Sequence, residues 1–259
     1  MDFFDLMLDS GSGERNESDS FQGLFLGKVK QNWEKQYPGM VMVELLGGEK
    51  GKTTTKWIPV MRPYAGKEYG QYFQPEVGDV VVVGFLSGNP DSPVVLGCLW
   101  DQNNTMPQEA SVGENSVKAI VTKEGHKILF DETKDKESLK IITKGKMTIA
   151  LEDQEKTITL QDEKGENKIV INGKSQEITL ESQKKITLQA GGSKLILDGS
   201  ANKISAESNC IEMEGKQAMS LKSQSLKAEG SVMELKANST LKAQTSGILE
   251  LKGGMAKIN

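Results

Sequence analysis

The chain has 259 residues, a formal net charge of −4, and 36% hydrophobic but only 5% aromatic residues. This charge balance argues against a nucleic-acid surface, for which clustered Lys and Arg and a basic domain are expected. The two cysteines, Cys98 and Cys210, lie far apart and outside any Cys/His cluster, so neither a disulfide framework nor a zinc site is indicated, and we expect free, buried thiols.

The first twenty residues are predicted to form a flexible N-terminal segment. Acidic residues stand where a signal peptide needs basic ones, and Asp5 interrupts the short apolar stretch. That stretch, which includes Phe3, Phe4 and Leu6, is interpreted either as a frayed terminus or as a docking peptide that orders on a partner. No later segment approaches the 18 apolar residues typical of a membrane helix, so we expect synthesis in the cytoplasm without a signal peptide.

Residues 21–107 predict a small barrel. Five strand-length runs rich in Val and Leu are separated by turns containing Gly, Pro and Asn, and they cover residues 23–32, 40–46, 54–63, 79–88 and 93–100. Closing such a sheet removes its exposed edges, and an OB-fold fits the strand count. We expect Trp33, Trp57, Phe85 and Trp100 to fill or cap this barrel.

Composition changes sharply after the barrel. The last aromatic residue is Phe130 and the last proline is Pro107, so residues 131–259 contain no Phe, Tyr, Trp, Pro or Arg. Large rings supply much of the buried area of a conventional core. We therefore infer two different architectures, with a neck at residues 108–145 between the barrel and a spike at residues 146–259.

The spike sequence is repetitive. Thirteen pairs of apolar residues at positions i and i+2, from Ile149 and Leu151 to Leu249 and Leu251, begin about 8.3 residues apart. The residue between each pair is usually Thr, Ser, Lys or Glu, which predicts short strands with one apolar and one solvated face. A strand of this kind buries little by itself, so stacking against other strands is required.

Two constructions satisfy this periodicity. One is a single-chain β-solenoid with about 24 residues per three-sided coil, and the other is three intertwined chains, which the slender apolar pairs favour. Strands stacked in parallel at about 4.8 Å would make a prism about 60 Å long in the three-chain case. The predicted fold class is all-β, with an N-terminal OB-fold barrel followed by a C-terminal trimeric triple-stranded β-helix.

Several segments carry a resemblance to a known family. Residues 21–29, 57–66 and 74–97, the last beginning Gln-Pro-Glu-Val-Gly-Asp, resemble the OB domain of the central baseplate spike. This family includes contractile phage tails, R-type bacteriocins, extracellular injection systems and the VgrG proteins of type VI secretion. Residues 122–132 resemble its junction and residues 253–259 its C-termini. The resemblance implies a non-enzymatic homotrimeric needle, assembled beneath the tail tube of an injection particle, that pierces the target envelope when the sheath contracts.

The resemblance also implies partners. About twenty residues precede the OB domain, so a separate hub protein is expected at that end, and residues 101–124 are too few for the lysozyme domain of some phage spikes. One histidine, His126, cannot form the paired-histidine iron site of other spikes, so no metal or cofactor is expected. By analogy with VgrG, a separate PAAR-like tip protein is expected to bind at Gly254, Met255, Lys257, Ile258 and Asn259.

Residue patterns that suggest chemistry have simpler structural interpretations. His126, near Glu124, Asp131 and Glu132, is conceivable as a base but is interpreted as a structural junction residue. The acid pairs Glu152/Asp153 and Asp162/Glu163 suggest a glycosidase but adjoin repeat corners. The Lys52–Lys56 run lacks P-loop spacing and is interpreted as a turn and strand start. Arg62 is expected to pair with an acid or to contact the hub.

Two other function classes remain as alternatives. A polysaccharide-degrading enzyme on a β-solenoid would need aromatic sugar platforms and clustered acids on one face, and the aromatic-free half lacks the former. An OB-fold nucleic-acid-binding protein would need stacking aromatics alternating with Lys and Arg, which are not evident.

Overall fold

A computed structural model describes residues 23–46, 53–111, 113–255 and 257. The apolar stretch near the N-terminus therefore lies outside the described residues. Within them the chain forms seventeen β-strands and two short 3₁₀ turns, Leu86–Gly88 and Gln108–Ala110. The predicted all-β class is confirmed.

Five strands form the predicted barrel. Their bounds are β1 (Phe25–Gln31), β2 (Met40–Leu45), β3 (Ile58–Pro59), β6 (Val80–Phe85) and β7 (Pro93–Leu99), each inside one of the runs expected from the sequence. All neighbours are antiparallel in the order β3-β2-β1-β6-β7. A parallel bridge between Val60 and Val95 joins the two ends of this order. The sheet is thereby nearly closed, as in an OB-fold.

Aliphatic side chains fill the barrel. Strand alternation points one face inward, and the buried residues are Val29, Val41, Val43, Leu45, Ile58, Val81, Val83 and Val95. Burying each such side chain contributes about 1.5–3 kcal/mol. Phe25 and Phe85 pack against this core with ring centroids 5.3 Å apart.

Of the four rings expected to fill or cap the barrel, two tryptophans do not fill it. Trp33 is 73% exposed and Trp100 is 69% exposed, because both follow the ends of strands and lie outside the alternating inward positions. Trp57 stacks on Tyr37 with ring centroids 5.9 Å apart, while Phe85 does pack on the core. Branched aliphatic residues, not rings, therefore determine the size of the barrel interior.

After the barrel, seven five-residue strands form one antiparallel meander. Their bounds are β8 (Val117–Val121), β9 (Lys127–Asp131), β10 (Ser138–Ile142), β11 (Thr148–Glu152), β12 (Thr157–Gln161), β13 (Lys168–Asn172) and β14 (Glu177–Glu181). Each strand pairs with the next along the chain. Strands β8–β10 lie in the segment interpreted as the neck and belong to the same sheet as β11–β14.

The expectation of parallel stacking is wrong for this meander. Connections of four to six residues separate its strands, for example 153–156 and 162–167. Parallel neighbours within one chain need a crossover of a dozen or more residues, whereas short turns produce antiparallel pairs. A nine- to eleven-residue repeat therefore builds hairpins when consecutive strands pair with each other.

The remaining strands form a second small sheet. Its strands are β15 (Lys185–Ala190), β16 (Ser193–Asp198) and β17 (Lys203–Glu207), in the order β15-β16-β17. Two further short strands, β4 (Ala65–Gly66) and β5 (Tyr69–Gly70), form a hairpin between β3 and β6. Beyond β17, the described residues from 208 to 255 contain no strand.

Candidate assembly interface

One face of the meander is apolar from β9 to β14, and in β8 it carries Ile120 beside Lys118. Register places its side chains in two columns: Phe130, Leu139, Leu151, Ile158, Ile171 and Ile178 in one, and Ile120, Ile128, Ile141, Ile149, Leu160, Ile169 and Leu180 in the other. We call these thirteen residues the apolar face. Apart from Ile178, its exposed members are between 37% and 45% exposed in the single chain. Nothing within the described sheet covers them.

The opposite face of the meander is mixed in character. It carries Thr, Lys, Glu and Gln residues together with apolar ones such as Leu129, Ile142 and Val170, its side chains from β8 to β13 are half-buried, and Ala150 is buried there. Lys140 pairs with Glu152 at 3.4 Å and Lys168 pairs with Glu181 at 3.1 Å across neighbouring strands. Because the thirteen side chains of the apolar face form a continuous exposed strip, that face resembles a protein interface more than a free surface.

Sequence reasoning missed where this face begins. The regular pairs were traced from Ile149, but Ile128 with Phe130 and Leu139 with Ile141 continue the same columns upstream. These pairs have the same i, i+2 spacing, so the signal was present. The aromatic residues and proline that occur before Asp131 make the i, i+2 spacing harder to recognise there.

The extended segment at residues 208–255 also presents unpaired repeats. Ile211 and Met213 are 52% and 72% exposed, and Leu249 and Leu251 are 59% and 85% exposed. Side chains at i and i+2 lie on one side of this segment: Lys227 pairs with Glu229 at 2.6 Å and Lys252 with Glu250 at 2.7 Å. Charged residues therefore alternate with apolar ones, as in the strands of the meander.

The expected tip-binding residues do not form a described pocket. Gly254, Met255 and Lys257 are exposed, with Met255 78% exposed, whereas Ile258 and Asn259 lie outside the described residues. The expectation that these five residues bind a tip protein stays a prediction.

Ion pairs connect the barrel to the first hairpin of the meander. Glu76, in the turn before β6, lies 3.2 Å from Lys123 in the turn between β8 and β9. Glu109, in the 3₁₀ turn before β8, pairs with Lys127 at the start of β9, and that hydrogen bond lowers the pKa of Glu109. Surface pairs of this kind contribute little energy individually, but these two span the barrel-to-sheet connection.

Among the described residues, His126 and Asp162, which suggest catalysis in the sequence, have structural contacts. His126 is exposed, and its Nδ1 accepts a hydrogen bond from the Lys144 backbone N–H at 3.4 Å. Asp162 lies in the turn between β12 and β13, where donation from the Asn167 side chain lowers its pKa. A glycosidase acid needs the opposite shift, towards a raised pKa. No group of three metal-ligating side chains occurs in the part of the chain that is described.

The threonines of the Lys52–Lys56 run have a structural role. Thr53 is buried and its hydroxyl donates to the Leu45 carbonyl at 3.3 Å, while Thr55 Oγ1 accepts from the Val43 N–H at 3.0 Å. These contacts continue the edge of β2. They support the interpretation of this run as a turn and strand start instead of a phosphate site.

Arg62 holds a loop. Its guanidinium donates to the Phe73 carbonyl and to Gln74 Oε1, and it lies 5.2 Å from the centroid of the Tyr72 ring. Gln74 in turn donates to the Met40 carbonyl at 2.9 Å. The side chain therefore joins both ends of the segment between β3 and β6.

The expectation of buried thiols is wrong. Cys98 and Cys210 are both exposed. Cys98 lies opposite Val81 near the end of β7, where partial burial and the charge of Asp79 raise the pKa of its thiol, and Arg62 opposes this shift. Cys210 falls in the extended segment, which has no core of its own in the single chain.

No described helix has the length and apolar character needed to cross a membrane.

Similarity to known proteins is concentrated in the barrel. Residues 25–100 match the family described as the type VI secretion system/phage-baseplate injector OB domain. The type VI secretion system spike protein VgrG5 of Pseudomonas aeruginosa is 38% identical over 73 residues, which are 28% of this chain and 9% of that protein.

Two further relatives are similar. VgrG1a of P. aeruginosa is 31% identical over 110 residues, 40% of this chain and 17% of its own length, and VgrG3 of Vibrio cholerae is 34% identical over 70 residues, 27% of this chain and 7% of its own. Both are spike proteins of type VI secretion systems. The matches thus span less than a fifth of these relatives. On these comparisons residues 25–100 form an OB domain similar to that of baseplate spike proteins, and the barrel is the part of the chain that carries the likeness.

Proposed function

We propose that the chain is the structural central spike of a contractile injection apparatus. In this proposal three copies form a needle beneath the tail tube, and the needle pierces the target cell envelope when the sheath contracts. A separate hub protein binds at the barrel end. A PAAR-like tip protein binds at Gly254, Met255, Lys257, Ile258 and Asn259. The protein is assembled into the particle after synthesis in the cytoplasm and has no enzymatic role.

The uncovered apolar face is the observation that carries this proposal. Thirteen aliphatic or aromatic side chains form two regular columns, and a face of that size on a soluble protein indicates a partner. Two other copies of the same sheet present matching columns at the same height. Three such sheets around an axis form a triangular prism in which each apolar face is covered by the other two.

The extended segment supports the same arrangement. Its backbone N–H and C=O groups require hydrogen-bonding partners in a folded assembly, yet residues 208–255 contain no strand in the single chain. Strands from neighbouring copies have the same spacing of apolar and charged residues. Strand pairing between copies therefore supplies hydrogen-bond partners for the backbone N–H and C=O groups and also buries the apolar side chains.

A rod built in this way suits a mechanical role. Any local opening of the extended segment would break contacts to two other chains. Charged cross-strand pairs on the opposite face, such as Lys168 with Glu181, keep the rod soluble during assembly. Similarity to spike proteins of type VI secretion systems supports this use of the architecture.

Mass measurement tests the proposed assembly. Light scattering coupled to size-exclusion chromatography should give three times the 28.3 kDa of one chain, independent of loading across a wide concentration range. A mass of one chain, with retained β-sheet circular dichroism, would contradict the proposal.

A pull-down tests the proposed tip. Full-length protein should recover the PAAR-like tip protein encoded nearby, whereas a variant lacking Gly253–Asn259 should lose most of that recovery. Lys252→Ala, just before the deleted segment, is the matched control and should bind normally. Equal recovery by the full-length and shortened proteins would refute the assignment of the five residues.

A further inference from the structure

The segment between β3 and β6 forms an exposed aromatic hairpin. We call residues 61–73 the aromatic arm. Within thirteen residues it presents five large exposed side chains: Met61 at 56%, Tyr64 at 65%, Tyr69 at 58%, Tyr72 at 66% and Phe73 at 55%. The sequence pattern assigns its first residues to the strand-length run at residues 54–63 and does not indicate an exposed surface.

The aromatic arm has a defined conformation. Strands β4 and β5 pair, and the Gln71 N–H donates to the Tyr64 carbonyl at 2.9 Å. Tyr64 and Tyr69 lie with ring centroids 5.3 Å apart. The Tyr69 ring lies directly over Gly66, where an added Cβ would be 2.1 Å from the Tyr69 Cζ atom. The arm therefore holds its rings in place before any partner arrives, which reduces the entropy lost on binding.

Arg62 and Gln74 fix the base of the arm to the barrel. Arg62 bonds to the chain at Phe73 and Gln74, and Gln74 bonds to the Asn32 and Met40 carbonyls at the junction of β1 and β2. The arm is thus attached rigidly at both ends. Yet none of its large side chains enters the barrel core.

Strand directions place the arm at one end of the barrel. Pro59, at the end of β3, pairs with Met40 at the start of β2. Leu99, at the end of β7, pairs with Val80 at the start of β6. These positions share the end at which Glu76 pairs with Lys123 of the meander. The aromatic arm therefore emerges where the chain leaves the barrel for the meander.

We propose that the aromatic arm of one copy binds residues 100–116 of a neighbouring copy. This inference rests on the proposed trimer, because only there does another copy lie beside the barrel-to-meander connection. Residues 101–116 contain Asp101, Glu109 and Glu114 and no Lys or Arg, and only Glu109 of these acids pairs with a lysine, Lys127, in the described part of the chain; the arm carries Arg62 and Lys67 against Glu68. The two segments are therefore complementary in charge. Trp100, 69% exposed, and Met106, 38% exposed, add apolar surface for the rings.

The chemistry of the arm fits a protein partner. Tyr and Arg are enriched among residues that dominate the energy of protein interfaces. Three arms, each reaching from one copy to the next, would form a collar between the barrels and the meander. The collar would fix the rotation of each barrel about the long axis.

Site-specific photo-cross-linking tests this inference. p-Benzoylphenylalanine replaces Tyr69, which keeps an aromatic ring over Gly66, and in a second variant it replaces Leu86. Leu86 is 59% exposed and follows the opposite end of β6, so it is a matched barrel control. Each purified full-length variant is sized by light scattering, irradiated, separated on a denaturing gel and mapped by mass spectrometry.

The expected result is covalent dimers and trimers from the position 69 variant, with adducts on residues 100–116, and none from the position 86 variant. A trimer without adducts between copies, or with adducts elsewhere, would overturn the arm inference and leave the proposed spike intact. A monomer would overturn both. In assembled particles, adducts from position 69 to another protein and none between copies would assign the arm to a hub contact instead.

Discussion

A carboxylate placed in the apolar face gives the sharpest test of the assembly. Leu160 lies in the middle of one column, opposite Ile149 on one side and Ile169 on the other, and is 39% exposed in the single chain. In a trimer, Leu160→Asp would bring three carboxylates towards one axis. Thr159→Asp, one residue away on the opposite face, adds the same charge to the same strand.

The size of the effect follows from burial. Covering the exposed part of Leu160 contributes about 1 kcal/mol per chain, since full burial of a Leu is worth about 1.5–3 kcal/mol. Desolvating a carboxylate without a partner costs several kcal/mol. Together these give about 3–5 kcal/mol per chain, or about 9–15 kcal/mol per trimer. At about 1.4 kcal/mol per factor of ten, the trimer constant falls by at least about six orders of magnitude.

Sedimentation velocity at concentrations from nanomolar to tens of micromolar measures the result. Leu160→Asp should be monomeric throughout, and Thr159→Asp should remain a trimer like the parent. Leu160→Ala, which loses burial but adds no charge, should dissociate only at the lowest concentrations. Equal trimer content in Leu160→Asp and Thr159→Asp would refute the assignment of the apolar face as the interface.

Three further predictions concern the barrel and the turns. Gly27→Ala should destabilise the barrel by about 1–3 kcal/mol in thermal melts, because the new Cβ would lie 2.2 Å from Val43 Cγ1; Gly97→Ala, with open space around it, is the control, and equal melts would contradict the packing. Lys127→Ala should raise the pKa of Glu109 towards its ordinary value in an NMR titration, whereas Lys118→Ala, whose lysine pairs with Glu132, should not. The pKa of Asp162 is lowered in the folded chain, so its carboxylate stabilises the turn fully above the ordinary Asp pKa of about 3.9. That stabilisation is lost as the pH falls through the lowered pKa. In thermal melts at acid pH, Asp162→Ala should remove this part of the pH dependence of stability.

Much of the fold was predictable because its patterns are local. Alternating Val and Leu runs indicated all five barrel strands, and the i, i+2 pairs indicated the strands β11–β14. Strand direction was not predictable from the apolar pairs, since parallel coils and antiparallel hairpins have the same period. The connection lengths, such as the four residues between Glu152 and Thr157, carried that information.

Contacts between distant residues account for what sequence reasoning missed. Nothing in the spacing of Arg62 and Gln74 indicates that they clamp the aromatic arm, because their partners come from β1, β2 and the arm itself. Exposure of Trp33 and Trp100 depends on where strands end, which is uncertain from sequence by a residue or two. The expected tip residues depend on a partner, so the chain alone does not define that site.

The point at which pairing within one chain stops, after β17, bears on the order of folding. The barrel and meander close their backbone hydrogen bonds within one chain, so they can form in a first-order step in each chain. Residues 208–255 form no strand within the single chain, and in the proposed trimer their strand pairing must wait for an encounter between chains. The rate of the late phase should therefore rise with protein concentration while the early phase does not. A chain truncated in this segment would still associate with two intact copies through the apolar face. It would leave their segments without a third partner for strand pairing. Truncated chains are therefore expected to act as dominant negatives when both forms are made in one cell.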